Sequence, residues 1–277
     1  MPELPEVETI ARNLRLGTSD QPALLGETIS SGVVLWEKTL AYPSIPEFSV
    51  NITDQRIEDI TRRGKYLVIL MGDATLLFHL RMSGDLVMES AEEKIATHHR
   101  LILNLESGWR LAFNDPRKFG RAWLTPHPEM VLGELGPEPL DEQFMAADFF
   151  QRLHQKHRQL KPLLLDQKFI AGIGNIYADE ALHLAYLHPL IPSDMLSPQQ
   201  ADALLMCIRQ VLQEGILRNG ASIDWVYRGG EFQNYFRVYQ RAGEACFRCG
   251  TPIQRIVVGQ RGTHFCPSCQ LFPDSGV

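Results

Sequence analysis

Four cysteines carry the most specific chemical signal in the sequence. Cys246 and Cys249 form one C-x-x-C pair, sixteen residues intervene, and Cys266 and Cys269 form a second. Two tight turns of this kind bring four thiolates to the corners of a tetrahedron, the arrangement of a structural zinc ion. A pair of redox or disulfide motifs is the competing reading. It is disfavoured because no thioredoxin-like βαβ pattern surrounds either pair. The fifth cysteine, Cys207, falls at helical spacing between Leu204 and Val211 and reads as a core residue.

Pro2 offers a different chemistry. A small second residue permits removal of Met1, which would leave a secondary amine at the start of the chain. An α-amino group titrates near about 8, below lysine, and attacks electrophilic carbon once deprotonated. A secondary amine bonded in this way forms only a cationic iminium, an electron sink for elimination. Glu3 and Glu6 follow closely enough to give or take protons. Taken alone, the same residues are more simply the beginning of a helix opened by Pro5.

Other segments present cations or apolar tips. Arg62-Arg63-Gly64-Lys65 precedes a strand and either aims its cations one way or forms a solvated face. The turn Asn114-Asp115-Pro116-Arg117-Lys118-Phe119-Gly120 holds Arg117 and Phe119 at its tip, suited to wedging a base stack or to ordinary surface packing. His79-Leu80-Arg81-Met82-Ser83-Gly84 offers Met82 similarly, although a lone Met is more simply a core residue. Gly172-x-Gly174 lacks the third glycine and the preceding strand of a dinucleotide fingerprint. Asn175 is instead expected to cap the next helix, whose N-terminal N–H groups would face a phosphate or only water.

The elements that must position these residues divide at mid-chain. Val7, Ile10 and Leu14 lie on one face of a leading helix. Strands are expected at 67–71, 76–80, 101–105 and 110–113, with hairpin turns at Gly72-Asp73 and Ser107-Gly108. LGELGPEPL, 132–140, reads as a linker. Beyond it two helical segments between Asp166 and Pro189 are broken by residues 171–175. Ser197-Pro198-Gln199-Gln200 opens an amphipathic helix that runs to Arg218 and stops at Asn219-Gly220.

With 277 residues, 44% hydrophobic and 22% charged, the chain can bury the cores of two domains, which excludes disorder. The longest apolar run, near Tyr66 to Met71, is far short of the ~20 residues of a membrane span. No basic leader precedes it, so a soluble intracellular protein is expected. The net charge of −6 argues against coating a polyanion by bulk electrostatics. Between Arg237 and Gln270, however, five arginines face the single acid Glu244, the sign that phosphate requires.

Together, MPELPEVET, RRGKYL, HLRMSG, NDPRKFG, LGPEPL, LLDQKFIAGIGNIYADEAL, VYQRAGEAC and FCPSCQ resemble the formamidopyrimidine-DNA glycosylases, a helix-two-turn-helix family of base-excision repair enzymes. Glu3-Leu4-Pro5 is similar to this branch rather than to endonuclease VIII, where Gly typically replaces Leu4. The resemblance implies an α+β fold: an N-terminal antiparallel β-sandwich with a leading helix (1–135), a hinge (136–142), a helix-two-turn-helix domain (143–236) and a zinc finger (237–277). It implies one structural zinc ion on Cys246, Cys249, Cys266 and Cys269. Damaged double-stranded DNA would lie in the cleft between the domains of a monomer in the bacterial cytoplasm.

Carried over residue by residue, the resemblance makes Pro2 the nucleophile at C1′, Glu3 the proton donor and acceptor, and Glu6 a support. Lys65 would take part in catalysis close to the flanking phosphate, Arg261 in phosphate contact and the second elimination, and Asn175 would be a phosphate ligand. Met82, Arg117 and Phe119 would fill the gap left by the flipped nucleotide, and His98 and Lys156 would contact DNA. The implied activity is removal of 8-oxoguanine and formamidopyrimidines, followed by β,δ-elimination. The segment 219–234 departs from the usual lesion-capping pattern, so an endonuclease VIII-like preference for oxidised pyrimidines stays open. So does a silent damage-binding zinc protein.

Overall fold

The structure is a computed structural model and describes residues 1–222 and 229–272. Ile223, Asp224, Trp225 and Arg228, part of the unusual 219–234 segment, lie outside the described residues. The chain divides into two compact units. The first is Met1–Glu134, joined by 219–222 and 229–230; the second comprises Leu135–Arg218 and the chain from Glu231. Residues 219–222 thus group with the first unit.

In the first unit, α1 (Leu4–Leu16) opens one residue before the expected Pro5. Glu3 is its N-cap, and Glu6 reaches back to the Glu3 backbone N–H at 2.7 Å, closing a capping box. Its face of Val7, Ile10 and Leu14 enters the core, as the periodicity predicts. Strands β1 (Ile29–Val34) and β2 (Leu40–Tyr42), α2 (Ile45–Ile52), and then β3 (Ile57–Arg63) to β9 follow. These later strands are β4 (Tyr66–Met71), β5 (Ala74–His79), β6 (Asp85–Ser90), β7 (His99–Leu105), β8 (Trp109–Asn114) and β9 (Arg121–Thr125). They form two sheets, β1-β7-β8-β6 and β2-β9-β5-β4-β3. Pairing is antiparallel except between β2 and β9, a parallel contact at one edge. Ile69 and Phe78 of one sheet and Leu103 and Phe113 of the other share a single core with α1. The short α3 (Glu129–Leu132) ends the unit.

In the second unit, α4 (Ala146–His154) and α6 (Asn175–Leu184) pack on α7 (Pro198–Leu217). The capping box of α7 is the predicted one: Ser197 Oγ accepts from Gln200 N, and Gln200 Oε1 accepts from Ser197 N. Cys207 on this helix is half-buried rather than a core residue, because Leu204, Leu205 and Ile208 take the inward positions. The helix before the glycine turn is α5 (Leu160–Leu164), earlier than expected, and 166–172 form turns. The Gln167 side chain explains this. Its amide bonds Leu165 O, Ile173 O and Gly172 N, meeting backbone groups that a helix would have satisfied internally. The hairpin of β10 (Gln254–Val258) and β11 (Arg261–Phe265) completes the unit. Among the described residues, no helix is long and apolar enough to cross a membrane.

Candidate functional site

Pro2, Glu3 and Glu6 are all buried at the start of α1, Glu3 and Glu6 at 2% exposure each. Glu6 has a clear structural duty. One carboxylate oxygen accepts from Glu3 N–H and the other from Ala221 N–H at 2.8 Å. Gly220, at φ +77°, passes so close that an added Cβ would sit 2.7 Å from the Glu6 side chain. Arg12 Nη2 donates to Asn219 Oδ1 at 2.6 Å, a second tie between α1 and this segment. Residues 219–222 are thus held against the chain start.

Lys65 occupies the two-residue loop between β3 and β4, with Gly64 at φ +57° and Arg63 paired to Tyr66. It is 5% exposed, so the cation sits inside the unit and not on a solvated face. Arg62 is committed elsewhere: its Nε donates to Glu8 of α1 at 2.8 Å. That ion pair clips the Lys65 hairpin to the helix that follows Pro2. His79, at the end of β5, accepts from Arg81 N–H. Burial, with Arg81 and Lys65 nearby, pushes its pKa down to about 3.

The depressed value has a signed consequence. The unfolded chain binds a proton at His79 below about 6.5 and the folded chain does not, so stability is lost as pH falls from 6.5 toward 3. At pH 5 the loss is about 2 kcal/mol. Asp85 acts in the opposite sense, since burial raises it to about 6. Urea unfolding of the wild type and His79→Gln at pH 7.5 and 5 should therefore show the smaller pH effect in the variant. Equal pH effects would contradict the assignment.

The two candidate wedge turns are one construction. Asp115 is fully buried, and its carboxylate accepts from Ser83 Oγ, Arg117 N–H and Gly120 N–H. Ser83 Oγ also accepts from Arg117 N–H, so the MSG and NDPRKFG turns are tied together. Their tips stay outside: Met82 is 39% and Phe119 49% exposed, and the Arg117 guanidinium lies 5.1 Å from the Phe119 ring centre. Met82 is therefore not a core residue. His98 is exposed beside this turn, its carbonyl accepting from Asp115 N–H.

In the second unit, Gly174 and not Asn175 is the N-cap of α6. Asn175 is the first helical residue, and its Nδ2 donates to Gly262 O at 3.1 Å. Lys161, fully buried, donates to the same carbonyl at 2.9 Å and pairs with Asp179 at 2.6 Å. The other Asp179 oxygen accepts from His264 N–H at 2.9 Å. These residues lock the β10–β11 hairpin onto α6, leaving Arg261 exposed just after the Gly259-Gln260 turn. Lys156, by contrast, is exposed after α4, and its backbone joins the packing through Leu153 O and Ser193.

Sequence reasoning missed Lys161 and Asp179, although a lysine within QLKPLLLD was the available signal. It also missed Glu180, whose buried carboxylate accepts from the backbone N–H groups of Arg237, Val238 and Tyr239 and is raised by burial. Lys161→Met should strand the Asp179 charge and cost about 3–5 kcal/mol. The double variant with Asp179→Asn should recover most of that loss in denaturant titrations. Additive losses would rule out a buried pair.

The four cysteine sulfurs lie within 4.8 Å of one another. Cys249–Cys266 is 3.4 Å, Cys249–Cys269 3.5 Å and Cys246–Cys269 4.0 Å. A tetrahedron with Zn–S bonds of about 2.3 Å has edges of about 3.8 Å, so the residues fit one zinc ion. Hydrogen bonds from Thr251 hold the Cys249 thiol down to about 6, favouring the thiolate that a metal needs.

Three segments of the chain match known domain families. Residues 1–122 match the formamidopyrimidine-DNA glycosylase N-terminal domain. Residues 135–226 match its H2TH domain, and 243–271 match a zinc finger found in FPG and IleRS. A formamidopyrimidine-DNA glycosylase of Chloroflexus aurantiacus is 48% identical over 279 residues, with 98% of each chain covered. The chain belongs to the formamidopyrimidine-DNA glycosylase family.

A second formamidopyrimidine-DNA glycosylase, from Enterococcus faecalis, is 40% identical over 98% of this chain and 97% of its own. Among solved structures, Lactococcus lactis Fpg (MutM) bound to DNA containing N7-benzyl-Fapy-dG superimposes with a TM-score of 0.90 at 36% identity. The match covers 98% of this chain and all of that one. The same Lactococcus enzyme has been captured with DNA containing an oxidised pyrimidine. As a formamidopyrimidine-DNA glycosylase family member, the chain has the expected α+β fold: β-sheets first, a helical H2TH domain, and a four-cysteine cluster suited to one metal ion.

Proposed function

We propose that this protein is a bifunctional base-excision repair enzyme acting on oxidised purines in double-stranded DNA. The observation that carries the reading is the Ser83–Asp115 junction, which buries its own polar groups yet leaves Met82, Arg117 and Phe119 outside. A base in a stacked duplex hides its C1′, so the nucleotide must swing out at a cost of a few kcal/mol. Apolar and cationic tips on one rigid support offset part of that cost by filling the gap. Once Met1 is removed, the Pro2 nitrogen attacks C1′ as the damaged base leaves. Opening of the sugar ring, in which the C1′–O4′ bond breaks and O4′ takes a proton from Glu3, turns this adduct into an iminium that acidifies the C2′ protons, and β- then δ-elimination cuts both sides of the site.

Glu3 transfers protons at the sugar, and Glu6 supports the site. Lys65, Asn175 and Arg261 meet phosphates, with His98 and Lys156 as further DNA contacts; such contacts position the strand without reading sequence. The zinc ion is structural, because four Cys ligands leave no open coordination position. The protein works as a monomer in the bacterial cytoplasm.

Borohydride reduction during reaction with an 8-oxoguanine:C duplex is expected to trap a covalent protein–DNA adduct. A protein that only binds damage would give none. Faster cleavage of a thymine-glycol duplex would favour the oxidised-pyrimidine alternative, which the departure of 219–234 from the usual pattern leaves open.

A further inference from the structure

His183 lies in the last turn of α6, 1% exposed, with Nε2 3.5 Å from Cys246 Sγ. Its Nδ1 is buried without a hydrogen-bond partner among the described residues. Arg248, in the first knuckle, donates to the carbonyls of His183 and Leu184 at 2.8 and 3.2 Å, fixing that knuckle to the helix end. A zinc ion with four thiolates carries a formal charge of −2, which a semi-buried site must balance with N–H donors. Cys249 has Thr251 for this purpose, and Cys266 has the N–H groups of Ser268 and Cys269. Cys246 faces an imidazole from another element.

We propose that His183 is an outer-shell partner of the metal site, donating Nε2–H to the Cys246 thiolate and thereby tightening zinc binding. A cationic ring carries a proton on both nitrogens, and for a neutral ring the surroundings select the Nε2–H tautomer. The alternative would leave an unpaired Nδ1–H donor buried and aim a lone pair at a thiolate. The hydrogen bond also couples the ion to α6, the helix whose first residue is Asn175. Zinc occupancy would thus bear on the element that presents the proposed phosphate ligand. The assignment concerns zinc binding and stands whatever lesion the enzyme prefers.

Two measurements on full-length, zinc-loaded protein test it. Long-range ¹H–¹⁵N correlation should show His183 protonated at Nε2; a ring protonated only at Nδ1 overturns the proposal. Competition with a chromophoric chelator should show His183→Phe binding zinc roughly tenfold more weakly. His183→Gln, whose amide nitrogen can reach the Nε2 position, should restore affinity, and His183→Asn, whose nitrogen falls at Nδ1, should not. Equal zinc affinity in His183→Phe and wild type refutes the proposal, as does equal weakening by Gln and Phe, which indicates packing alone. If His183→Phe fails to accumulate, the tautomer of the wild type decides.

Discussion

Pro2→Gly is expected to lower base excision by roughly 10²- to 10⁴-fold, the range for loss of a positioned catalytic group. Binding to lesion DNA should change little. The reason lies in the nitrogen. Proline gives an iminium that cannot lose its charge by shedding an N–H proton, whereas glycine, a primary amine, gives a protonated imine that can. The pyrrolidine ring is also packed, since Pro2 is buried at the head of α1. Single-turnover cleavage and filter binding of the two proteins separate chemistry from affinity. Unimpaired cleavage by the variant would be evidence against a proline iminium as the intermediate. N-terminal mass spectrometry of the same preparations is the companion measurement, because a retained Met1 converts the amine into an unreactive amide.

Cys249→Ser should cost the protein its zinc and much of its DNA affinity together. Structural zinc in small fingers contributes on the order of 10 kcal/mol of apparent folding free energy. Among the described residues its apolar cluster is small, Val238, Cys246, Ile253 and Cys266, and two of the four are metal ligands. The hairpin that exposes Arg261 hangs on that cluster and on the Lys161–Asp179 pair. Metal analysis and a DNA-binding titration on the purified variant check the linkage. Zinc content and affinity both at wild-type level would contradict a structural metal site.

Strong local signals made much of this molecule legible from sequence. The Ser197–Gln200 capping box, the C-x-x-C spacings and the hairpin turns at 72–73 and 107–108 each fix local geometry by nearby residues alone. Strand β3, IEDITRR, escaped because its exposed positions carry charge and its alternation is irregular. Strand β6 was hidden similarly by Asp85, Glu89 and Ser90, which pair across to β8. The candidate wedge residues were visible as turn tips, but the carboxylate that unites them was not. Asp115 looks like any turn aspartate until Ser83, 32 residues earlier, is folded against it. Lys161 was overlooked for the same reason, its partner carbonyl on Gly262 being 101 residues away.

The Glu6 carboxylate holds backbone from the beginning of the chain and from a point 215 residues later. Expressing the sandwich by itself, cut at Glu134, would therefore remove the Ala221 N–H that one Glu6 oxygen accepts from. Efforts to split this enzyme into independent halves should graft the 219–222 strip onto the first half, or neutralise Glu6, before concluding that either piece is intrinsically unstable.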